Sequence, residues 1–142
     1  MESWTAALWV AATFVWFDIV LAISFLETPL KFRAPGMTVP IGLGIGRLVF
    51  RALNAAEVAL GLVIVIAMTS DGQRRTAEIL SVVALAVLAL QLTVVRPQLR
   101  RRTDRVLAGR PQQRSTAHLV YVALELVKAP ALLAAGVLLL AS

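Results

Sequence analysis

Four long apolar runs alternate with shorter polar stretches along the chain, at about 4–26, 47–69, 77–96 and 116–141. A helix needs roughly 20 apolar residues to cross a bilayer core, and each run is of that order. Membrane-spanning strands would instead alternate apolar and polar positions over about ten residues, which these uniform runs do not. Lipid offers the backbone no hydrogen-bond partners, so such a run satisfies its own N–H and C=O groups as a helix. The pattern predicts an all-α polytopic membrane protein, with residues 1–142 forming a single four-transmembrane-helix bundle. "MESW" has no basic segment and Asp18 interrupts the first run, so the first helix is read as retained rather than as a signal peptide.

Composition agrees with the pattern and removes several chemistries. The chain is 59% apolar and 15% charged, where a soluble domain is about a quarter charged. Its mean hydropathy is +0.83. With no cysteine and one histidine, disulfides, thiolate metal sites, iron–sulfur clusters and a two-histidine haem site are all excluded within one chain. No metal-ligand motif and no serine–histidine pairing at useful spacing is present, so neither a cofactor nor an enzymatic activity is expected.

The net charge of +6 changes meaning once it is located. Lys31, Arg33, Arg47 and Arg51 flank the first loop, and Arg96, Arg100, Arg101, Arg102, Arg105, Arg110 and Arg114 crowd the third. The second loop has only Arg74 and Arg75, and the termini have no basic side chain. The positive-inside rule then puts loops 27–46 and 97–115 in the cytoplasm and both termini outside it. The charge is a topology signal rather than a nucleic-acid footprint, and anionic lipid headgroups are the partners it implies at the cytoplasmic loops. Twelve of the fourteen basic residues are arginine, a bias of GC-rich bacterial genomes, so the expected location is a bacterial inner (plasma) membrane.

The first loop, "FLETPLKFRAPGMTVPIGLGIGRLVF", carries Pro29, Pro35 and Pro40, which argue against one long helix, yet it stays apolar. "GLGIGR" lacks the spacing, the preceding strand and the lysine of nucleotide-binding turns. Two readings remain open. Glycines just before a helix expose N–H groups to an anion, so Lys31, Arg33, Gly44, Gly46, Arg47 and Arg51 form a candidate site for a lipid phosphate. Alternatively, Gly42 and Gly46, spaced GxxxG, let two helices approach closely. In the third loop Arg96-Pro97 is the expected end of helix three, with "LRRRTDRVLAG" as a short helix lying on the headgroups.

The intramembrane polar residues carry the functional signal. Arg114, His118, Tyr121, Glu125 and Lys128 fall in one stripe of helix four, and Glu125 and Lys128, three apart, can pair. Helix two carries Arg47, Arg51 and Asn54 along one face with Glu57 at its edge, helix one carries Asp18 and helix three Gln91. Counted from the assigned cytoplasmic ends, Asp18, Glu57 and Glu125 all lie roughly 13–15 Å deep, near the middle of a core about 30 Å thick. A charge there costs ~2.5–3.5 kcal/mol even on the lenient insertion scale. The expected buried polar cluster is therefore Asp18, Asn54, Glu57, His118, Tyr121, Glu125 and Lys128.

Two functional classes suit such a cluster. The leading expectation is a small accessory subunit that docks on the membrane part of a larger complex, a transporter or respiratory assembly, and finds partners for its buried charges in trans. The alternative is a small proton- or cation-coupled transporter or channel, acting as a homo-oligomer through the carboxylate–lysine cluster.

The order of features, Pro29-x-x-Phe32 leaving helix one, Phe50 early in helix two and His118 opening helix four, resembles uncharacterised four-helix bacterial inner-membrane proteins. More distantly it resembles copper-resistance-type membrane domains. The resemblance implies the four-helix fold and assigns no functional residue.

Overall fold

Leucine, valine, isoleucine and alanine dominate the four runs, and all four runs are helical. The computed structural model describes residues 3–71, 74–109 and 116–141, the side chains of 3, 71 and 116–118 aside. Helix α1 (Ser3–Val20) passes through a π-helical stretch, Leu21–Glu27, into a single further turn, α2 (Thr28–Lys31). Then come α3 (Val39–Asp71) and α4 (Arg75–Leu90), which passes through a second π-helical stretch, Gln91–Val95, into α5 (Arg96–Leu107). Helix α6 (Thr116–Ala141) ends the described chain. Four continuous helices are long and apolar enough to cross a membrane: Trp4–Lys31, Val39–Ser70, Arg75–Leu107 and Leu119–Ala141.

The first three spans are longer than the apolar runs that predict them, and a proline lies at each of the main differences. Pro29 and Pro97 do not end their helices. Each follows a π-helical stretch, in which Thr28 N–H reaches the Ile23 carbonyl and Arg96 N–H reaches the Gln91 carbonyl. The wider turn shifts the hydrogen-bond register at the point where a residue without an N–H, and with a ring to accommodate, is added. The basic segment after Pro97 is accordingly helical but continues the third span, and Gly109, at φ 75°, closes it with a left-handed cap. Pro40 sits in the first turn of α3, where its missing N–H would have no partner anyway. Thr38 Oγ1 caps that turn by accepting the Ile41 N–H at 3.3 Å. The second span therefore starts at Val39, not near 47, and the glycine run lies inside the helix.

The spans pack in chain order around a ring. α1 lies against α3 and against α6, and α4 lies against α6, while α3 and α4 touch sparingly. Trp9, Trp16, Val20, Ile64, Ala84, Leu88 and Leu132 form the buried core. Leu48, Leu62, Ile66, Leu119, Leu126 and Leu140 point outward and are well exposed. An apolar exterior of this extent on long helices is the surface expected against lipid. The two tryptophans set the rotation of α1. Asp18, two positions after Trp16, lies about 200° round the helix from it, and is exposed. The expectation that Asp18 joins a buried cluster is thus corrected: α1 turns its indoles inward, and the carboxyl goes outward.

Close approach of helices explains some glycines and not others. A Cβ on Gly136 would lie 2.6 Å from the Phe14 ring of α1, and one on Gly42 would lie 2.2 Å from the Phe32 ring. Gly44 has nothing within 4 Å. Gly136→Leu is therefore expected to cost about 1–3 kcal/mol by overpacking. Gly44→Ala is expected to be neutral or to gain up to about 1 kcal/mol of helix propensity. Unfolding of the detergent-purified protein, followed by circular dichroism, measures both.

Candidate functional site

Every span contributes a side chain to one polar layer. Lys128 of α6 sits fully buried at its centre. Its ammonium donates to Gln91 Oε1 at 2.7 Å, pairs with Glu125 Oε1 at 2.7 Å and bonds to Glu57 Oε2. An ammonium has three donors, and two of them are hydrogen-bonded to Gln91 and Glu57 while Glu125 balances its charge. Gln91 ties the layer together, because its amide nitrogen donates to Glu125 Oε1 at 2.7 Å while its carbonyl accepts from Lys128. Trp16 Nε1 donates to Glu57 Oε2 at 2.7 Å, and the Ser24 hydroxyl donates to Glu125 Oε2 at 2.6 Å. Glu57 Oε1 has no hydrogen-bond partner among the described residues.

The local sequence explains why these groups meet. Glu125 and Lys128 are three apart on α6 and so share a face. Gln91 opens the second π-helical stretch and Ser24 lies within the first. A widened turn changes the angular step between side chains, which is one reason such turns recur at functional sites. Two carboxylates face one ammonium, so the layer carries a formal charge of −1 when all three are ionised.

On one side of this layer lies the apolar core. On the other, toward the end of the bundle that holds the 32–38 connection and α5, a cavity of about 750 Å³ opens. Glu125 and Ser24 reach both the polar layer and the cavity. Six cationic side chains line the space: Lys31, Arg47, Arg51, Arg96, Arg100 and Arg102. Phe25, Phe32, Leu43, Phe50, Leu92, Leu99 and Val122 supply apolar wall between them. Arg96 is held in place by aromatic faces, its guanidinium 5.2 Å from the Phe50 ring and 5.9 Å from the Tyr121 ring. Those two rings meet edge to face, with centroids 5.7 Å apart. Arg47 pairs with Asp104 of α5, and Lys31 lies 3.7 Å from Glu27. The Tyr121 hydroxyl is buried and has no hydrogen-bond partner among the described residues.

The candidates named from sequence divide between these two places. Glu57 and Glu125, expected at a common depth, meet in the polar layer together with Lys128, the expected pairing partner of Glu125. Asn54 and Tyr121 line the cavity instead, and Asp18 belongs to neither. The side chain of His118 lies outside the described residues. Of the lipid-phosphate candidates, Lys31, Gly46, Arg47 and Arg51 line the cavity, whereas Arg33 is exposed and Gly44 faces open space. The mechanism offered for the glycines is corrected. Gly44 and Gly46 do not lie ahead of a helix but inside α3, and the Gly42 N–H is already bonded to the Thr38 carbonyl at 2.9 Å. Gly46 instead makes room, for a Cβ there would lie 2.9 Å from Lys31 Nζ.

Trp16, Ser24 and the three arginines Arg96, Arg100 and Arg102 were not singled out as site residues by sequence reasoning. The arginines read as loop charge in the sequence, where Pro97 is the expected end of the helix that carries them to the cavity. Nothing in the sequence marks Trp16 or Ser24. No group of three or more metal-ligating side chains gathers among the described residues. No protein-family model matches the chain, no curated protein matches it, and no solved structure matches it.

Removing one member of a buried charge pair leaves the other uncompensated, at about 3–5 kcal/mol. Lys128→Met is expected to destabilise the protein by that order, because it strands two carboxylates. Combining it with Glu57→Gln and Glu125→Gln is expected to recover most of the loss. Asp18→Asn, by contrast, is expected to change stability by less than about 0.5 kcal/mol. Chemical unfolding in detergent ranks the three variants; equal losses for Lys128→Met and Asp18→Asn would contradict the arrangement described.

Proposed function

We propose that the chain is a multi-pass protein of a bacterial inner membrane that carries an organic anion together with a proton. In this reading the cavity faces the cytoplasm, as the positive-inside pattern places it. The observation that carries the reading is Glu125. It lines a space surrounded by six cationic side chains and is at the same time bonded to Lys128 and Gln91 in the polar layer. An anion entering the cavity would meet that carboxylate at the inner end, and a proton on it removes the repulsion. The polar layer is one proton short of neutrality, and Glu57 Oε1 is a carboxylate oxygen with no other occupation among the described residues.

Stability is a poor reason for such a layer. Intramembrane hydrogen bonds contribute about 0.6 kcal/mol on average, against ~2.5–3.5 kcal/mol for placing each charge. The size of the cavity supports a small-molecule ligand, since ligand sites commonly span about 300–1,000 Å³.

The docking reading, a small accessory subunit of a larger membrane complex, keeps one observation in its favour. Asp18 presents a carboxyl on the exposed face of the first span near its middle, and a partner helix that covers it would remove the cost of leaving it in lipid. The buried charges themselves no longer argue for a partner, because Lys128, Glu57 and Glu125 pair within the chain.

Reconstituted into vesicles with a pH-sensitive dye inside, the protein is expected to collapse an imposed pH gradient when a suitable carboxylate, sulfonate or phosphate amphiphile is added. Glu125→Gln is expected to lower that proton movement by about tenfold or more, the scale of a lost charged hydrogen bond. Movement undiminished in Glu125→Gln, or no proton movement with any of the anions, would end the carrier reading. Gentle purification from native membranes tests the docking reading: it requires a stoichiometric partner that is lost on Asp18→Leu, and a chain travelling alone contradicts it.

A further inference from the structure

We propose that the ligand of the cavity is a phosphate ester carried on an apolar body. The proposal rests on reading the cavity as an anion site and names the class of anion. Charge comes first. Among the described residues Arg51, Arg96 and Arg100 have no carboxylate ion-pair partner, yet all three border the same space. They come from two different spans, so they approach the space from different directions. A monocarboxylate would leave most of that charge unmatched. A phosphate monoester carries up to two charges on three peripheral oxygens, and guanidinium groups bind such oxygens in bidentate pairs.

Donor chemistry points the same way. Tyr121 is 5% exposed and lines the cavity, and its hydroxyl is buried without a hydrogen-bond partner among the described residues. A buried hydroxyl left unpaired costs about 1–3 kcal/mol, and an acceptor oxygen beside Arg96 would relieve it. The contacts of Arg96 with the Phe50 and Tyr121 rings hold that guanidinium beside the tyrosine.

Size and wall chemistry supply the apolar body. A cavity of about 750 Å³ is far larger than a phosphate group needs, and Phe25, Leu92 and Val122 offer apolar wall between the cations. A wholly polar phosphate ester would leave that wall facing water or polar groups. The phosphate ester and its apolar body have two natural sources, a lipid of the surrounding bilayer or a soluble amphiphilic ester, and the chemistry of the site is the same for both.

Equilibrium binding to the full-length, detergent-purified protein tests the class. The probes are dihexanoyl phosphatidic acid, glycerol 3-phosphate (the same headgroup without chains), dihexanoyl phosphatidylcholine and hexanoate. Dihexanoyl phosphatidic acid is expected to bind about tenfold or more tightly than each of the others. Arg51→Gln and Arg96→Gln are each expected to weaken it by about 10–100-fold, and Tyr121→Phe by about three- to tenfold. Arg51 is exposed, so its variant keeps the test valid if Arg96→Gln does not fold. Equal affinity for glycerol 3-phosphate or hexanoate, or unchanged affinity in both arginine variants, would overturn the proposal. Lipid analysis separates the sources. A phosphate-bearing lipid that copurifies with the wild type and is lost from Arg51→Gln assigns the bilayer, and binding of the short-chain probe with no such lipid assigns a soluble ester. Because no gradient is applied, the outcome is independent of transport. Binding without proton movement removes the carrier reading alone, and proton movement driven only by other anions removes this one alone.

Discussion

An ammonium group has three N–H bonds to place, and hydrocarbon accepts none of them. Lys128 donates to Glu57 and Gln91 and forms an ion pair with Glu125, and these three partners belong to three different spans. Trp16 and Ser24 of the remaining span then complete the carboxylates. Each partner is affordable in a low-dielectric interior only while the others are present. That mutual dependence gives four helices of generic apolar sequence a reason to adopt one register. The apolar faces alone would tolerate many rotations, since lipid tails are as apolar as leucine and provide no hydrophobic drive between helices.

The polar layer also divides the bundle into two chemistries. Beyond it, Trp9, Ile64, Ala84 and Leu132 pack as a dry core. Before it, the spans stay far enough apart to leave a cavity, and the side chains that border it are mainly cationic or apolar. Repulsion among Lys31, Arg47, Arg51, Arg96, Arg100 and Arg102 works against closing that end. Asp104, which pairs with Arg47, and Glu27, beside Lys31, relieve part of it. The charges that border the cavity thus also help to keep it open.

Proline and the π-helical turns decide how much chain enters this arrangement. Had Pro97 ended the third span, Arg100 and Arg102 would lie in a connecting loop. The wider turn at Gln91–Val95 lets the helix run on to Leu107, so α5 lines the cavity and meets α3 through Arg47 and Asp104. The same device before Pro29 carries the first span on to Lys31.

The number of long helices, their apolar exteriors and the shared depth of Glu57 and Glu125 were legible from the chain alone. Run length and the cost of charge in hydrocarbon are local properties that need no knowledge of neighbours. The pairing of Glu125 with Lys128 was legible for the same reason, because three residues on one helix have a known angular relation. Helix rotation was not. Asp18 and Glu57 read alike in sequence, yet one faces outward and the other accepts from Trp16, since burial of two indoles fixes the face that α1 presents. Nor did the sequence indicate that proline would be passed over, because proline usually ends a helix and only the hydrogen-bond register of the turn before it decides otherwise. Depth follows from position along one helix; convergence requires the relative rotation of all four, and only the tertiary structure supplies it.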